Sequence, residues 1–211
     1  IEAPEYGLEG MVSDAPDRRS IGVTSRNLPK LHFRAWRIDL WSWLGKSDDY
    51  NLLPNGDELE AMLRGKPEHA WTVDLPVLPD YRSHRTWVVP PMQAPGLWIV
   101  QSSATADFGP AGNERHAVPL VIGDLVLLRT VDQATVSVRV VSGATGQAVP
   151  GVEVLLYRKD WRSGHKVQST VTTGADGRAT LKTDTQGNQW FLAARKGDQM
   201  AIDLDAFWGG R

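Results

Sequence analysis

Val136-Ser-Val-Arg-Val-Val-Ser-Gly-Ala-Thr-Gly-Gln-Ala-Val-Pro-Gly-Val-Glu-Val-Leu-Leu-Tyr157 is the stretch whose reading decides the fold. Val136, Val138 and Val140 alternate with Ser137 and Arg139, the period-two pattern of a strand with one buried face. Val152, Val154 and Leu156 repeat the pattern after a break in which Gly143, Gly146, Pro150 and Gly151 supply turn geometry. Working outward, similar runs place strands near 124–130, 166–172, 178–183, 189–196 and 199–204. Gly164, Gly174-Ala-Asp-Gly177, Gly187-Asn188 and Lys196-Gly197-Asp198 separate them. Asp176-Gly177 and Gly187-Asn188 have the composition of hairpin turns. Seven short strands in about 90 residues read as an immunoglobulin-like sandwich.

The N-terminal half is less regular but still extended. Candidate strands are 21–24, 31–40, 70–75, 84–89, 96–102 and 116–122. One helix is expected over Asp57-Glu-Leu-Glu-Ala-Met-Leu-Arg64, with Asn55 or Asp57 at its start, acidic residues in the first turn and Gly65 closing it. Leu59, Met62 and Leu63 would dock one side of that helix. Pro54, Pro76, Pro79, Pro90, Pro91 and Pro95 break this half into segments.

The chain has 211 residues, enough for one large domain or two small ones. Trp98 and Trp190 settle the choice: each sits in a late apolar strand, and they are 92 residues apart, the length of one small sandwich. The expected organisation is therefore all-β: a leading segment or edge strand at 1–19, a first sandwich with the short helix at 20–122, and a second sandwich at 123–211.

Lys and Arg number 23 against 25 Asp and Glu, so the net charge is −2 and the basic excess of a nucleic-acid binder is missing. No apolar run approaches the roughly 20 residues needed to cross a bilayer, and no membrane insertion by this segment is expected. There is no Cys, which removes disulfides, thiolate metal sites and a cysteine nucleophile from these residues. The chain opens at Ile1 without a signal pattern, as a processed or excised piece would.

No pair among His32, His69, His84, His116 and His165 has the spacing of a helical zinc motif, and they read as surface or strand-end residues. The carboxylate pairs Asp48-Asp49, Asp57-Glu58 and Asp203/Asp205 read as loop, helix-start and strand-end charges rather than a hydrolytic pair. No catalytic, metal or cofactor site is expected. Nine Trp against four Phe and four Tyr is the unusual count. Trp36, Trp71, Trp98 and Trp190 lie in apolar strand patterns and read as packing. Trp41 and Trp43, where a strand runs into a loop, and Trp161 and Trp208, in loop or tail sequence, are candidate contacts to a partner or neighbouring domain.

Taken in order, Leu31–Leu40, Pro95-Gly-Leu-Trp-Ile-Val-Gln-Ser-Ser-Ala104, Gly123-Asp-Leu-Val, the 136–157 stretch and Thr173-Gly-Ala-Asp-Gly-Arg-Ala-Thr-Leu181 resemble consecutive macroglobulin-type domains of the bacterial α2-macroglobulin-like family. The resemblance covers roughly residues 30 to 204. It implies two non-catalytic scaffold domains from the N-terminal half of a long exported protein, often membrane-anchored in the periplasm. In that family a bait region is cut by target proteases, and many members carry a Cys-containing thioester, which this segment lacks. The partners implied are neighbouring domains of the same chain and, through the whole protein, proteases. Residues 104–114 form the most loop-like run and read as a hairpin connection rather than a bait. The competing reading is a carbohydrate-binding or adhesin-type surface module using Trp41, Trp43 or Trp161 as a platform.

Overall fold

The structure, a computed structural model, describes residues 3–10, 13–14, 20–46, 51–80, 82–160, 162–184 and 187–208. The chain divides into two compact units, residues 1–38 with 55–121 and residues 39–54 with 122–211.

The second unit contains β9 (Leu125–Asp132), β10 (Thr135–Ser142), β11 (Glu153–Arg158), β12 (Lys166–Thr172), β13 (Arg178–Lys182), β14 (Gln189–Lys196) and β15 (Gln199–Trp208). One sheet has the order β13-β10-β9 and the other β12-β11-β14-β15. The alternation in the sequence becomes the core: Val136, Val138 and Val140 from one sheet meet Val154, Leu156, Trp190, Leu192 and Phe207 from the other. Each such aliphatic side chain taken out of water contributes roughly 1.5–3 kcal/mol.

The first unit contains β1 (Glu5–Gly10), β2 (Ser13–Asp14), β3 (Ile21–Arg26), β4 (Lys30–Ile38), β5 (His69–Asp74), β6 (His84–Val88), β7 (Gly96–Ser103) and β8 (Arg115–Ile122). Its sheets have the orders β1-β3-β6 and β2-β8-β7-β4-β5. Leaving β2 aside, this is the topology of the second unit strand for strand: β1-β3-β6 matches β9-β10-β13, and β8-β7-β4-β5 matches β15-β14-β11-β12. Trp98 and Trp190 therefore occupy the same strand of two successive sandwiches, and both are fully buried.

Several elements differ from expectation. Asp176-Gly177 does make a turn, with Gly177 at φ 72° and its N–H donating to Gly174 O at 2.9 Å. The strands it joins, β12 and β13, lie in opposite sheets, as do β13 and β14 around Gly187-Asn188, so both are crossovers rather than hairpins. A left-handed glycine serves either kind of turn, and composition alone does not separate them. The consecutive strands of this unit that pair antiparallel as neighbours are β9 with β10, β11 with β12 and β14 with β15. β15 runs on to Trp208, which is thus a strand residue rather than part of a tail.

A second helix was not anticipated. β4 ends at Ile38, and α1 (Leu40–Lys46) follows where a strand entering a loop was expected. Asp39 caps it: Oδ1 accepts the N–H of Trp41 (3.1 Å) and Ser42 (3.2 Å), and Oδ2 accepts the Ser42 hydroxyl (2.6 Å). Leu40 and Leu44, four apart, are fully buried. A helix of seven residues has little stability of its own and is held by such burial. The alternating aromatics of Trp41-Ser42-Trp43 mimic a strand and mask this spacing. The expected helix is α2 (Gly56–Leu63), with Asn55 at its N-cap and Asp57 and Glu58 in the first turn, and none of its residues is fully buried.

Candidate interaction surfaces

In the second unit, the face of β12-β11-β14-β15 turned away from the core is also buried, through Leu155, Tyr157, Phe191, Ala193 and Ile202. The Tyr157 and Phe191 rings stack there at 4.8 Å, and burial raises the Tyr157 pKa above its usual value. Arg195 lies on the same face. Its guanidinium makes a two-pronged pair with Glu153 (2.6 and 3.0 Å), holding that carboxyl below the usual range, and stands 5.2 Å from the ring of Trp41. Trp41 is thereby engaged inside the second unit by a cation–π contact. Trp43 is engaged by its own segment, its Nε1–H donating to Leu52 O at 3.1 Å. Both residues are half-buried.

Trp208 keeps 53% of its surface exposed at the end of β15, and Trp161 lies outside the described residues. The structure thus groups Trp41 with Trp43 and leaves Trp208 apart. It also adds a surface aromatic that the sequence reading passed over: Trp87 of β6 is 54% exposed. Gly22 of β3 stands opposite it and, having no side chain, leaves room for Trp87 and Arg85 to lie over the sheet. The Arg85 guanidinium is 4.4 Å from the Trp87 ring and ion-paired to Glu9. The usable signal was Gly22 within an otherwise β-rich run, which marks a close approach.

Of the tryptophans read as packing, Trp36, Trp98 and Trp190 are buried, and Trp71 is half-buried with its ring stacked 5.0 Å from Phe33. Trp36 and Trp98 donate their indole N–H groups to Gly65 O (3.0 Å) and Ala94 O (3.2 Å), whereas the buried Nε1 atoms of Trp71 and Trp190 have no hydrogen-bond partner among the described residues.

The carboxylate pairs have structural duties. Asp203 is ion-paired to Arg129, whose guanidinium also reaches Asp205 O at 2.5 Å where the β14–β15 register shifts. Asp57 and Glu58 open α2, and Asp48-Asp49 lies outside the described residues. Among the described residues no three His, Asp or Glu side chains gather in a way that would hold a metal ion. His165 is buried rather than superficial, accepting the Asp160 N–H at its Nδ1 (3.2 Å) and standing edge-on to Phe191. Residues 104–114, linking β7 to β8, are tied down: Asn113 accepts the Ala104 N–H (3.1 Å) and donates to Ser103 Oγ (2.9 Å) and Gly109 O (2.7 Å), while buried Phe108 lies under Arg34. Chemically, these surfaces offer aromatic and guanidinium contacts.

The class that the fold defines is a tandem of immunoglobulin-like β-sandwiches. No protein-family model matches the sequence, and no curated protein matches it. Solved structures do. The crystal structure of native alpha-2-macroglobulin from Escherichia coli spanning domains MG0-NIE-MG1 superposes with a TM-score of 0.72 at 16% identity, covering 96% of this chain and 64% of that one. The corresponding structure spanning NIE-MG1 gives 0.68 at 16% identity and covers 97% of this chain and 98% of that one. The cryo-EM reconstruction of the native E. coli protein gives 0.53 at 16% identity, and the match spans 12% of its length. The chain has the fold of macroglobulin-type domains of a bacterial alpha-2-macroglobulin. No helix among the described residues is long and apolar enough to cross a membrane.

Proposed function

We propose that this chain is a pair of non-catalytic scaffold domains of a bacterial alpha-2-macroglobulin-like protein that traps proteases. The observation that carries the reading is the end-to-end correspondence with the NIE-MG1 segment, in which almost the whole of each chain is matched. By order along the chain, residues 1–38 with 55–121 take the place of NIE and the unit completed by 122–211 that of MG1. The parent is exported to the cell envelope and anchored there, and Trp208 meets a neighbouring domain of the same parent. Trap chemistry lies elsewhere in that parent: the sequence holds no cysteine, and the 104–114 connection is pinned through Asn113.

The test is to incubate the full-length parent with elastase and follow protease retention by size-exclusion chromatography. Cleavage with co-elution of the protease supports the reading; cleavage with release of the protease refutes it. The 211-residue chain alone retains no protease. Fractionation of the source cells places the parent in the envelope, and a cytoplasmic location would count against export. One observation favours the carbohydrate-binding alternative: the exposed Trp87 ring beside the Arg85–Glu9 pair. Glycan titration read by fluorescence of wild-type and Trp87→Ala chains separates the two, a flat response removing the alternative.

A further inference from the structure

We infer that the exposed face of the β13-β10-β9 sheet is a docking surface for an acidic polypeptide segment, gripped by Arg139 and Arg178. Core-facing Val138 and Val140 flank Arg139, so the alternation of β10 sends Arg139 outward. Ladder pairing then sets Leu128, Arg139 and Arg178 in one row across the three strands and Thr130, Ser137 and Thr180 in the next. These six residues line a shallow cleft of about 480 Å³.

Two guanidinium groups directly opposite each other on neighbouring strands repel, and such a pair lowers the stability of a sheet. The second unit neutralises its other strand arginines internally: Arg129 with Asp203, Arg158 with Asp160 and Arg195 with Glu153. The Arg139 side chain makes no hydrogen bond or ion pair among the described residues. Arg178 has only an exposed Asp176 contact at 3.8 Å. Among the described residues, no acidic side chain lines the cleft that holds these two cations. The like-charged pair, offset only by the exposed Asp176 contact, is complementary in charge to a segment rich in carboxylates.

The surroundings favour a polypeptide. Leu128 is 53% exposed beside the arginines, with Val126 further along β9, which gives the mixture of guanidinium and apolar surface found at protein interfaces. The hydroxyls of Thr130, Ser137 and Thr180 offer hydrogen bonds to a peptide backbone. Membrane surfaces are gripped by clusters of about 4–8 basic residues, and here only Lys182 joins the two arginines, with Asp132 in its own row on β9. This inference is independent of the protease-trapping proposal, and its test uses the 211-residue chain.

A fluorescein-labelled Glu-Leu-Glu-Glu-Leu-Glu peptide is titrated by anisotropy against wild type, Arg139→Gln, Arg178→Gln and Lys66→Gln, the last an equal charge change in the first unit. Each arginine variant is expected to lose about tenfold in affinity, about 1.4 kcal/mol, with Lys66→Gln unchanged. Binding should weaken as salt rises from about 0.05 to 0.5 M. The thermal midpoint of either arginine variant should stay level or rise, because the repulsion is relieved. A fall in that midpoint would mean that the arginines hold the sheet together, and would overturn the inference. So would equal binding by all four proteins, preferential binding to phosphatidylglycerol vesicles, or competition by inorganic phosphate at the peptide's own concentration.

Discussion

Trp98 and Trp190 differ in one atom's fate, and replacing each by Phe isolates it. Both side chains are fully buried, so the loss of ring volume costs each site about the same, about 2 kcal/mol for two to three carbons' worth of buried surface. The Trp98 N–H donates to Ala94 O at 3.2 Å. Losing that bond removes about 1 kcal/mol and leaves a carbonyl without its donor, for a total near 3 kcal/mol. The Trp190 N–H is buried without an acceptor, a state that already costs about 1–3 kcal/mol. Phe removes that cost along with the volume, so Trp190→Phe should fall between about 1 kcal/mol less stable and about 1 kcal/mol more stable than the parent. Urea unfolding followed by far-UV circular dichroism gives each difference, and hydrogen exchange of the β7 and β14 amides assigns it to the proper unit. Equal losses, or a greater loss at Trp190, would refute the reasoning.

Gly177 carries φ 72°, and a Cβ there would lie 2.6 Å from Val140 O, so Gly177→Ala should lower second-unit stability by well over ~1 kcal/mol in the same urea assay. Asp160 is held down to about 2, chiefly by the Ser163 hydroxyl and then by the Arg162 N–H. Because its folded pKa lies below the unfolded 3.8, its contribution is complete above about 3.8 and disappears as pH falls toward 2; Asp160→Asn should flatten that part of the acid-melting curve and leave the curve near neutrality in shape. Elastase should spare residues 104–114, and Asn113→Ala, which frees Ala104 N–H and Gly109 O, should open a cut between Thr105 and Gly112 detectable by mass spectrometry.

What was legible in the sequence follows from where one interaction dominates. In the second unit, one face of each strand is core, so period-two alternation at Val136–Val140 and Val152–Leu156 shows directly which residues face inward. β14 resists that reading: Trp190 and Leu192 face the core while Phe191 and Ala193 are buried on the other side, and the run looks merely apolar. α1 was masked because Trp41 and Trp43 carry strand-like alternation while its signals, Asp39 as a cap and Leu40 with Leu44 at helical spacing, span only one and a half turns. β1 went unassigned beyond an edge-strand possibility because Gly7 and Gly10 dilute its β-propensity, and its place comes from the ladder with β3. The tryptophan count singles out a residue type and not the positions that face solvent. Which indoles are exposed is a tertiary fact: Trp41 is contacted by Arg195 from a strand more than a hundred residues later, and Trp87 is 54% exposed on β6.

The segment 39–54 lies between β4 and β5 in the chain yet belongs to the unit built from 122–211. On a ribosome it emerges long before the strands it joins. The first sandwich has all its strands available while this segment still waits, with Trp41 lacking Arg195 until β14 is made. Synthesis therefore passes through a stage in which a finished first sandwich carries an apolar loop awaiting its partner, and this is the interval in which a chaperone or a stray neighbour has access to α1.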